Sequence, residues 1–311
     1  MRIIYAGILF FLASNLKCDK VCPMPLILDG RKARDFYKTK LVERVKALNL
    51  KPLLAIIQIG DNPESSIYIE QKKKFAHTIG VDVEHIKFLE TATQEEVAEK
   101  IVTLNDRKDV LGIIIQLPLP AHLDKLALIN TINPEKDVDG LTDENQDLLE
   151  KGSPRFIPAT ARGVAFLLDY YHIEVKGMKV AVLGRSRLVG HPLALLLKIK
   201  SAIVTVCHSQ TSNTKEVTQG SDLVVVAIGR PEYVDETFIK RGAIVVDVGI
   251  NSVLGQKLDE EIPKRKIVGD VKFKTVSTLA LAISPVPGGV GPMTVLSLFD
   301  NLVLSAELKA Q

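Results

Sequence analysis

The feature that most constrains this chain is a set of short, uninterrupted apolar runs, each stopped by glycine or proline and separated by helix-length segments. Leu53-Leu54-Ala55-Ile56-Ile57-Gln58-Ile59-Gly60 is one such run. Leu111-Gly112-Ile113-Ile114-Ile115-Gln116 is another, closed by Leu117-Pro118-Leu119-Pro120. A strand that is apolar at nearly every position is buried on both faces, as in parallel sheets covered by helices. The segments between supply the helices: Lys32 to Leu48, Glu64 to Ile79 closed by Gly80, and Gln94 to Asn105. Strands alternating with helices predict right-handed βαβ units and an α/β fold.

A stretch punctuated by proline and glycine, from about Asn133 to Pro158, is predicted to lead from one domain to a second. After a helix near Arg162 to Tyr171, a new series begins with Lys179-Val180-Ala181-Val182-Leu183-Gly184. Ala202 to Cys207, Asp222 to Ile228, Ala243 to Val248 and Lys266 to Gly269 follow as four more β-rich runs. That rhythm predicts a Rossmann-type nucleotide domain. Beyond the Pro/Gly loop at 285–292, Thr294 to Leu308 is predicted to be a last helix.

The turn after Leu183 carries cofactor information. Gly184-Arg185-Ser186-Arg187-Leu188-Val189-Gly190-His191-Pro192 is not GxGxxG and by itself is weak, since glycine after a strand is most often only a turn. Its context is stronger: Pro192 suits the first turn of a helix, so the loop delivers a helix N-terminus to a diphosphate. NAD-selecting domains usually end the next strand on Asp or Glu. Here Val204-Thr205-Val206-Cys207-His208-Ser209 ends without an acid, and Arg185 with Ser209 suits a 2′-phosphate, which makes NADP the expected cofactor. The bland alternative for Arg185 is a solvated loop charge. Ile250, in Val248-Gly249-Ile250-Asn251, ends a later strand where the nicotinamide half would lie.

Composition excludes several classes. With 311 residues, 46% of them hydrophobic and 25% charged, the chain can bury two cores and is not disordered. A formal charge of +3 without tryptophan gives no case for nucleic acid, though a mildly basic surface suits an anionic ligand. Cys18, Cys22 and Cys207 make neither a disulfide framework nor a zinc site, and the six histidines show no ligand spacing, so no metal is expected. Ile3 to Leu16 is an apolar run behind Arg2, too short for a confident membrane span and without a clean cleavage site. Residues 1–24 are expected to be an extension outside the fold, with Met24 as the favoured functional start. The expected location is cytoplasmic, or organellar if the extension is a targeting segment.

Three features of the first block look chemical. Tyr68 and Lys72 are four apart and share a helix face, although such a pair is usually surface decoration and Lys73 and Lys74 beside it favour that view. Gln116 ends a buried strand, where an uncharged side chain can reach into a crevice. Asp137-Val138-Asp139-Gly140 is an acidic turn, most simply a surface loop.

Taken with Pro285-Val286-Pro287-Gly288-Gly289-Val290-Gly291-Pro292-Met293-Thr294, these segments resemble the bifunctional methylenetetrahydrofolate dehydrogenase/methenyltetrahydrofolate cyclohydrolase family, from about Leu28 to Leu308. Tyr68/Lys72, Gln116-Leu-Pro-Leu-Pro and Lys136-Asp-Val-Asp-Gly fall in the family's order and spacing. The resemblance implies a substrate domain at 25–150 completed by a C-terminal helix at 293–311, a Rossmann domain at 151–292, and a cleft between them. It implies NADP-linked oxidation of methylenetetrahydrofolate followed by hydrolysis of the methenyl product, in a homodimer without membrane or nucleic-acid partners. Tyr68 would stack on the folate, Asp139 would accept hydrogen bonds from the pterin, and Lys72 would handle protons with Gln116 holding it. Pro287, Gly288, Gly291 and Thr294 would line the cleft, with Gly184, Arg185, Ser186, Ser209 and Ile250 on the cofactor. A neutral Lys72 amine is expected from desolvation together with the cations Lys73 or Lys74 nearby. Pro158-Ala159-Thr160-Ala161, Ser284 and Glu64 depart from the family pattern without removing a catalytic group. The alternatives are a monofunctional dehydrogenase and a non-catalytic folate- or nucleotide-binding subunit.

Overall fold

The computed structural model describes residues 24–254 and 265–310, so the apolar run Ile3–Leu16, Cys18 and Cys22 lie outside the described residues. Within the first block, strands β2 (Leu53–Ile59), β3 (Asp82–Phe88) and β4 (Val110–Ile115) form a three-stranded parallel sheet in the order β3-β2-β4. β2 is buried at six of its seven positions and β4 at all six, which is why both are apolar almost throughout. β3 is the edge strand. Its sequence Asp-Val-Glu-His-Ile-Lys-Phe is only partly covered, so it carries polar residues and escapes a search for buried runs.

The second sheet has six strands in the order β1-β11-β8-β7-β5-β6. Here β5 is Lys179–Leu183, β6 Ile203–Cys207, β7 Leu223–Val226 and β8 Ile244–Asp247, all paired in parallel. The chain runs from β5 outward to β6 and then returns to the other side of β5 at β7. A nucleotide crevice opens at such a reversal, outside the carboxyl ends of the strands.

Three expectations change here. Arg265–Val268 (β10) is not a strand of this sheet; it pairs antiparallel with Asn251–Leu254 (β9) as a separate ribbon. The sheet is extended instead by Ala282–Ile283 (β11) and by Leu26–Ile27 (β1). The first described strand therefore belongs to the Rossmann sheet, not to the substrate domain. Two residues are too short a run to show either period, so neither strand is legible in the sequence.

The last helix, Val290–Ala310, starts earlier than the pattern implies, because Gly291 and Pro292 fit its first turn, where Pro costs no hydrogen bond. It packs chiefly on helix Ala159–Tyr170, and also on helices Gly30–Ala47 and Pro63–Ile79 and on β4, so it bridges the two blocks. A charged cluster ties three of these helices together. Asp300 accepts from Arg44 Nη1 at 2.5 Å and from Arg162, and Arg44 also holds Glu307 through two contacts of 2.9 and 2.8 Å. Asp300 is nearly buried while both arginines keep some exposure. Asp300→Ala leaves two guanidinium groups without their shared carboxylate. It is expected to destabilise the chain by about 2 kcal/mol, less than a deeply buried pair would lose. A lower urea midpoint at unchanged slope is the check.

Candidate active site

Helix Pro63–Ile79 is set by its cap: Asn62 accepts from the backbone of Glu64 and Ser65 at 2.9 and 3.1 Å, Pro63 opens the first turn, and Gly80 closes the helix in the left-handed region. Ser65, Ile69, Ala76 and Ile79 face inward. Lys72 stands at the flank of that buried face, one turn from Tyr68, and its Nζ donates to Gln116 Oε1 at 2.8 Å. Gln116 is held in turn: its backbone N–H continues the β2 ladder by donating to Ile57 O, and its Nε2 donates to Leu117 O at 2.8 Å. The amide orientation is fixed by that second contact, so oxygen and not nitrogen faces the lysine.

Residues of the Lys136–Gly140 turn divide their labour. Lys136 Nζ donates to the carbonyls of Leu104, Asn105 and Arg107, closing the end of helix Gln94–Asp106. The Asp137 carboxylate accepts from Thr142 N, Thr142 Oγ1 and Asn145 Nδ2 at 2.8, 2.8 and 2.9 Å. Both charged groups are consumed by the fold. Asp139 is not, and it lies close enough to Lys72 for each to influence the other's titration. Burial pushes the Asp139 carboxyl up to about 6, opposed by Lys72 and assisted by Asp137. Burial pushes the Lys72 amine down, opposed by Asp139. Lys73 and Lys74 take no part: Lys73 pairs with Glu70 at 2.8 Å, and desolvation alone lowers the amine. The neutral-amine expectation holds in direction, but neighbouring cations are not its cause.

A cleft of about 490 Å³ opens beside Tyr68 and lies between this helix, helix Gly30–Ala47 and the second domain. Its far wall is Asp247 to Ile250 and the loop from Pro285 to Pro292, so Tyr68, Ile250, Pro287, Gly288 and Gly291 are brought together. Burial and Glu64 both raise the Tyr68 phenol, keeping it a neutral ring over the cleft. Thr294 is not among the cleft walls; it lies inside the last helix, where its hydroxyl donates to Val290 O at 3.4 Å.

On the sheet's other side, Gly184 N donates to Cys207 O at 2.8 Å, which carries the β5–β6 pairing past the strands and sets Arg185 near Ser209. Both are exposed, and Arg185 Nη2 reaches Gln210 Oε1 at 3.4 Å. A Cβ at Gly190 would stand 2.2 Å from Gly184 O, so the loop closes tightly on the start of helix Gly190–Ile199. Ser186 Oγ accepts from Gly190 N at 3.3 Å, so it caps that turn as well as facing solvent. The expected cofactor residues thus share one edge. The sequence reading missed Asp247 and Asp270, two buried carboxylates behind the Gly249–Ile250 turn. Burial, with Asp270 adding, pushes Asp247 up to about 7. Acids in the middle of strand-like runs were the available signal.

Residues 28–139 match the model of the tetrahydrofolate dehydrogenase/cyclohydrolase catalytic domain, and 158–310 that of the family's NAD(P)-binding domain. The bifunctional protein FolD of Acetivibrio thermocellus is 42% identical over 288 residues, covering 92% of this chain and 98% of that one. Among solved structures, the bifunctional FolD methylenetetrahydrofolate dehydrogenase/cyclohydrolase of Campylobacter jejuni is similar with a TM-score of 0.84 and 38% identity, over 91% of this chain and 99% of the other. The Trypanosoma brucei methylenetetrahydrofolate dehydrogenase-cyclohydrolase, complexed with NADP cofactor and inhibitor, gives 0.87 and 35%, over 93% and 100%.

Replacing the neutral acceptor of Lys72 tests the electrostatics directly. Gln116→Glu puts a carboxylate where the amide oxygen stands and stabilises the ammonium. The rate of Lys72 acylation by an amine-directed reagent at pH 8, read by peptide mass spectrometry, is expected to fall severalfold; an unchanged rate would mean that Gln116 does not govern the amine.

Proposed function

The chain belongs to the tetrahydrofolate dehydrogenase/cyclohydrolase family, and from that premise we infer how its residues divide two reactions. It is an NADP-dependent enzyme of one-carbon metabolism that oxidises 5,10-methylenetetrahydrofolate to the 5,10-methenyl form and hydrolyses this to 10-formyltetrahydrofolate. The observation that carries the assignment of roles is the Lys72–Gln116 contact, one helical turn from Tyr68, which lines the cleft together with the Pro285–Pro292 loop.

The folate is placed by Tyr68, whose ring offers a flat apolar face, and by Asp139, whose unshared carboxylate accepts N–H groups of the pterin edge. The methylene carbon loses hydride readily because the resulting cation is delocalised over two nitrogens. For that step the protein supplies alignment and exclusion of water. NADP, when bound, accepts the hydride. The tight Gly184–Gly190 turn at the start of helix Gly190–Ile199 would hold the diphosphate, Arg185 and Ser209 would hold a 2′-phosphate, and the Gly249–Ile250 turn would face the nicotinamide half.

Hydrolysis asks for something else. Water adds to the methenyl carbon and gives one proton to the neutral Lys72 amine; the C–N5 bond then breaks as the lysine returns that proton to N5, and the hydroxyl's remaining proton leaves to solvent as the formyl C=O forms on N10. An ordinary lysine is charged at neutral pH and is a poor base. Burial lowers its affinity for the proton, and Gln116 orients it without holding it charged.

The product supports purine, methionine and histidine biosynthesis in this reading. A homodimer joined through the nucleotide domains is supported by the apolar edge of that sheet, where Ile199 and Ile203 are exposed beside the unpaired side of β6. No described helix is long and apolar enough to cross a membrane. The proposed location is the cytoplasm.

Two substitutions test the division of labour. Lys72→Met is expected to reduce decay of authentic methenyltetrahydrofolate by about 10²–10⁴-fold while NADPH formation continues and methenyl product accumulates. Near-normal hydrolysis would reduce Lys72 to a binding residue. Arg185→Ala is expected to weaken NADP by about 10- to 100-fold, the equivalent of losing one charge-assisted contact, with little effect on NAD. Equal losses for both cofactors would remove Arg185 from the 2′-phosphate site.

A further inference from the structure

At the carboxyl edge of the second sheet, one side chain gathers the turns that follow β7 and β8. Asp270 is fully buried. Its Oδ2 accepts from Ile228 N and Gly229 N at 2.7 and 2.9 Å, and its Oδ1 accepts from Arg230 N and Asn251 Nδ2 at 2.8 and 2.9 Å. No ammonium or guanidinium is among these donors; the Arg230 side chain lies over the Tyr233 ring, 4.4 Å from its centroid. The turn at 228–230 follows β7, at the reversal of strand order beside β5. Gly249–Ile250 follows β8 and forms a wall of the cleft. A Cβ at Gly249 would stand 2.2 Å from Asp270 Cγ, so the turn rests directly on the carboxylate. Asp247 then fixes Asp270: its Oδ1 accepts from Gly249 N and Asp270 N, and its Oδ2 from Val271 N, at 2.9, 3.0 and 2.9 Å.

We infer that Asp270 is a positioning residue for hydride transfer, a buried carboxylate that sets the 228–230 and 249–251 turns relative to each other and so aims the nicotinamide at the substrate carbon. Four donors converge on its two oxygens. An amide in its place presents N–H groups to backbone N–H groups, and at least one turn must move away. Hydride transfer is sensitive to ångström-scale displacement, whereas the Lys72–Gln116 pair lies across the cleft on other elements. The inference rests on the two-reaction reading given above, and the two reactions supply its control.

The experiment measures both activities, with NADP as the titrated ligand, in the wild-type chain and in Asp270→Asn and Asn251→Ala. A wild type lacking either activity defeats the two-reaction reading itself. With both present, Asp270→Asn is expected to raise KM for NADP and lower dehydrogenase kcat by about tenfold each, with hydrolysis of added methenyltetrahydrofolate within about twofold of wild type. Asn251→Ala removes a single donor from outside the backbone and is expected to move the dehydrogenase in the same direction by about threefold, which keeps the test in force if the first variant is poorly folded. Parallel loss of both activities in Asn251→Ala, or an unchanged dehydrogenase in either soluble variant, overturns the inference.

Discussion

A half-buried lysine amine 2.8 Å from a neutral amide oxygen is the constraint on which the proposed catalytic arrangement depends. Its usefulness comes from what is kept away from it. A carboxylate in the position of Gln116 would fix the proton on the nitrogen, and open solvent would do the same by hydration. Asp139 is the one anion that opposes the effect, and burial weakens it in turn, raising its own proton affinity to about 6. The two groups are coupled, so the charge state of the pair belongs to both.

That arrangement explains why the turn from Lys136 to Gly140 is so rich in charge. Lys136 fills the carbonyl end of a helix and Asp137 gathers one backbone and two side-chain donors, so two of three charged side chains serve the fold. Their consumption is what leaves Asp139 available at a defined point. A loop with only the third residue would place a carboxylate near the cleft but would not hold it there.

The parts of this design that were legible in the sequence are those in which one residue's chemistry is local. β2 and β4 announced themselves because both faces are buried, and the helix carrying Tyr68 and Lys72 because its cap, Asn62-Pro63, and its stop, Gly80, are adjacent in sequence to what they terminate. The family resemblance supplied Tyr68, Gln116, Asp139 and the Pro-Gly-Gly loop together. What stayed hidden depends on partners far along the chain. β1 and β11 are two-residue strands whose pairing joins residues 26–27 to 282–283. β10 has the composition of a sheet strand and pairs elsewhere. Thr294 was expected both at the start of the last helix and on the cleft; the helix already begins at Val290 and turns that hydroxyl back onto the backbone. Asp247 and Asp270 went unread because nothing in a linear sequence shows that backbone N–H groups from other segments converge on them.

In the proposed division of labour, the two reactions draw on different halves of the molecule. Hydride transfer takes its geometry from the second sheet, where buried carboxylates fasten one turn to the next through backbone N–H donors. Proton transfer takes its chemistry from the first domain, where a helix, a strand end and a turn set one amine among neutral neighbours. The halves must keep a constant separation for the same bound folate to serve both, and neither sheet alone can set it. Helix Val290–Ala310 does so by packing against helices on each side of the boundary, reinforced by Asp300 between Arg44 and Arg162. Charge is used there in the opposite way from the active site: the pairs are complementary, and they hold the frame that keeps the Lys72 amine beside its neutral acceptor.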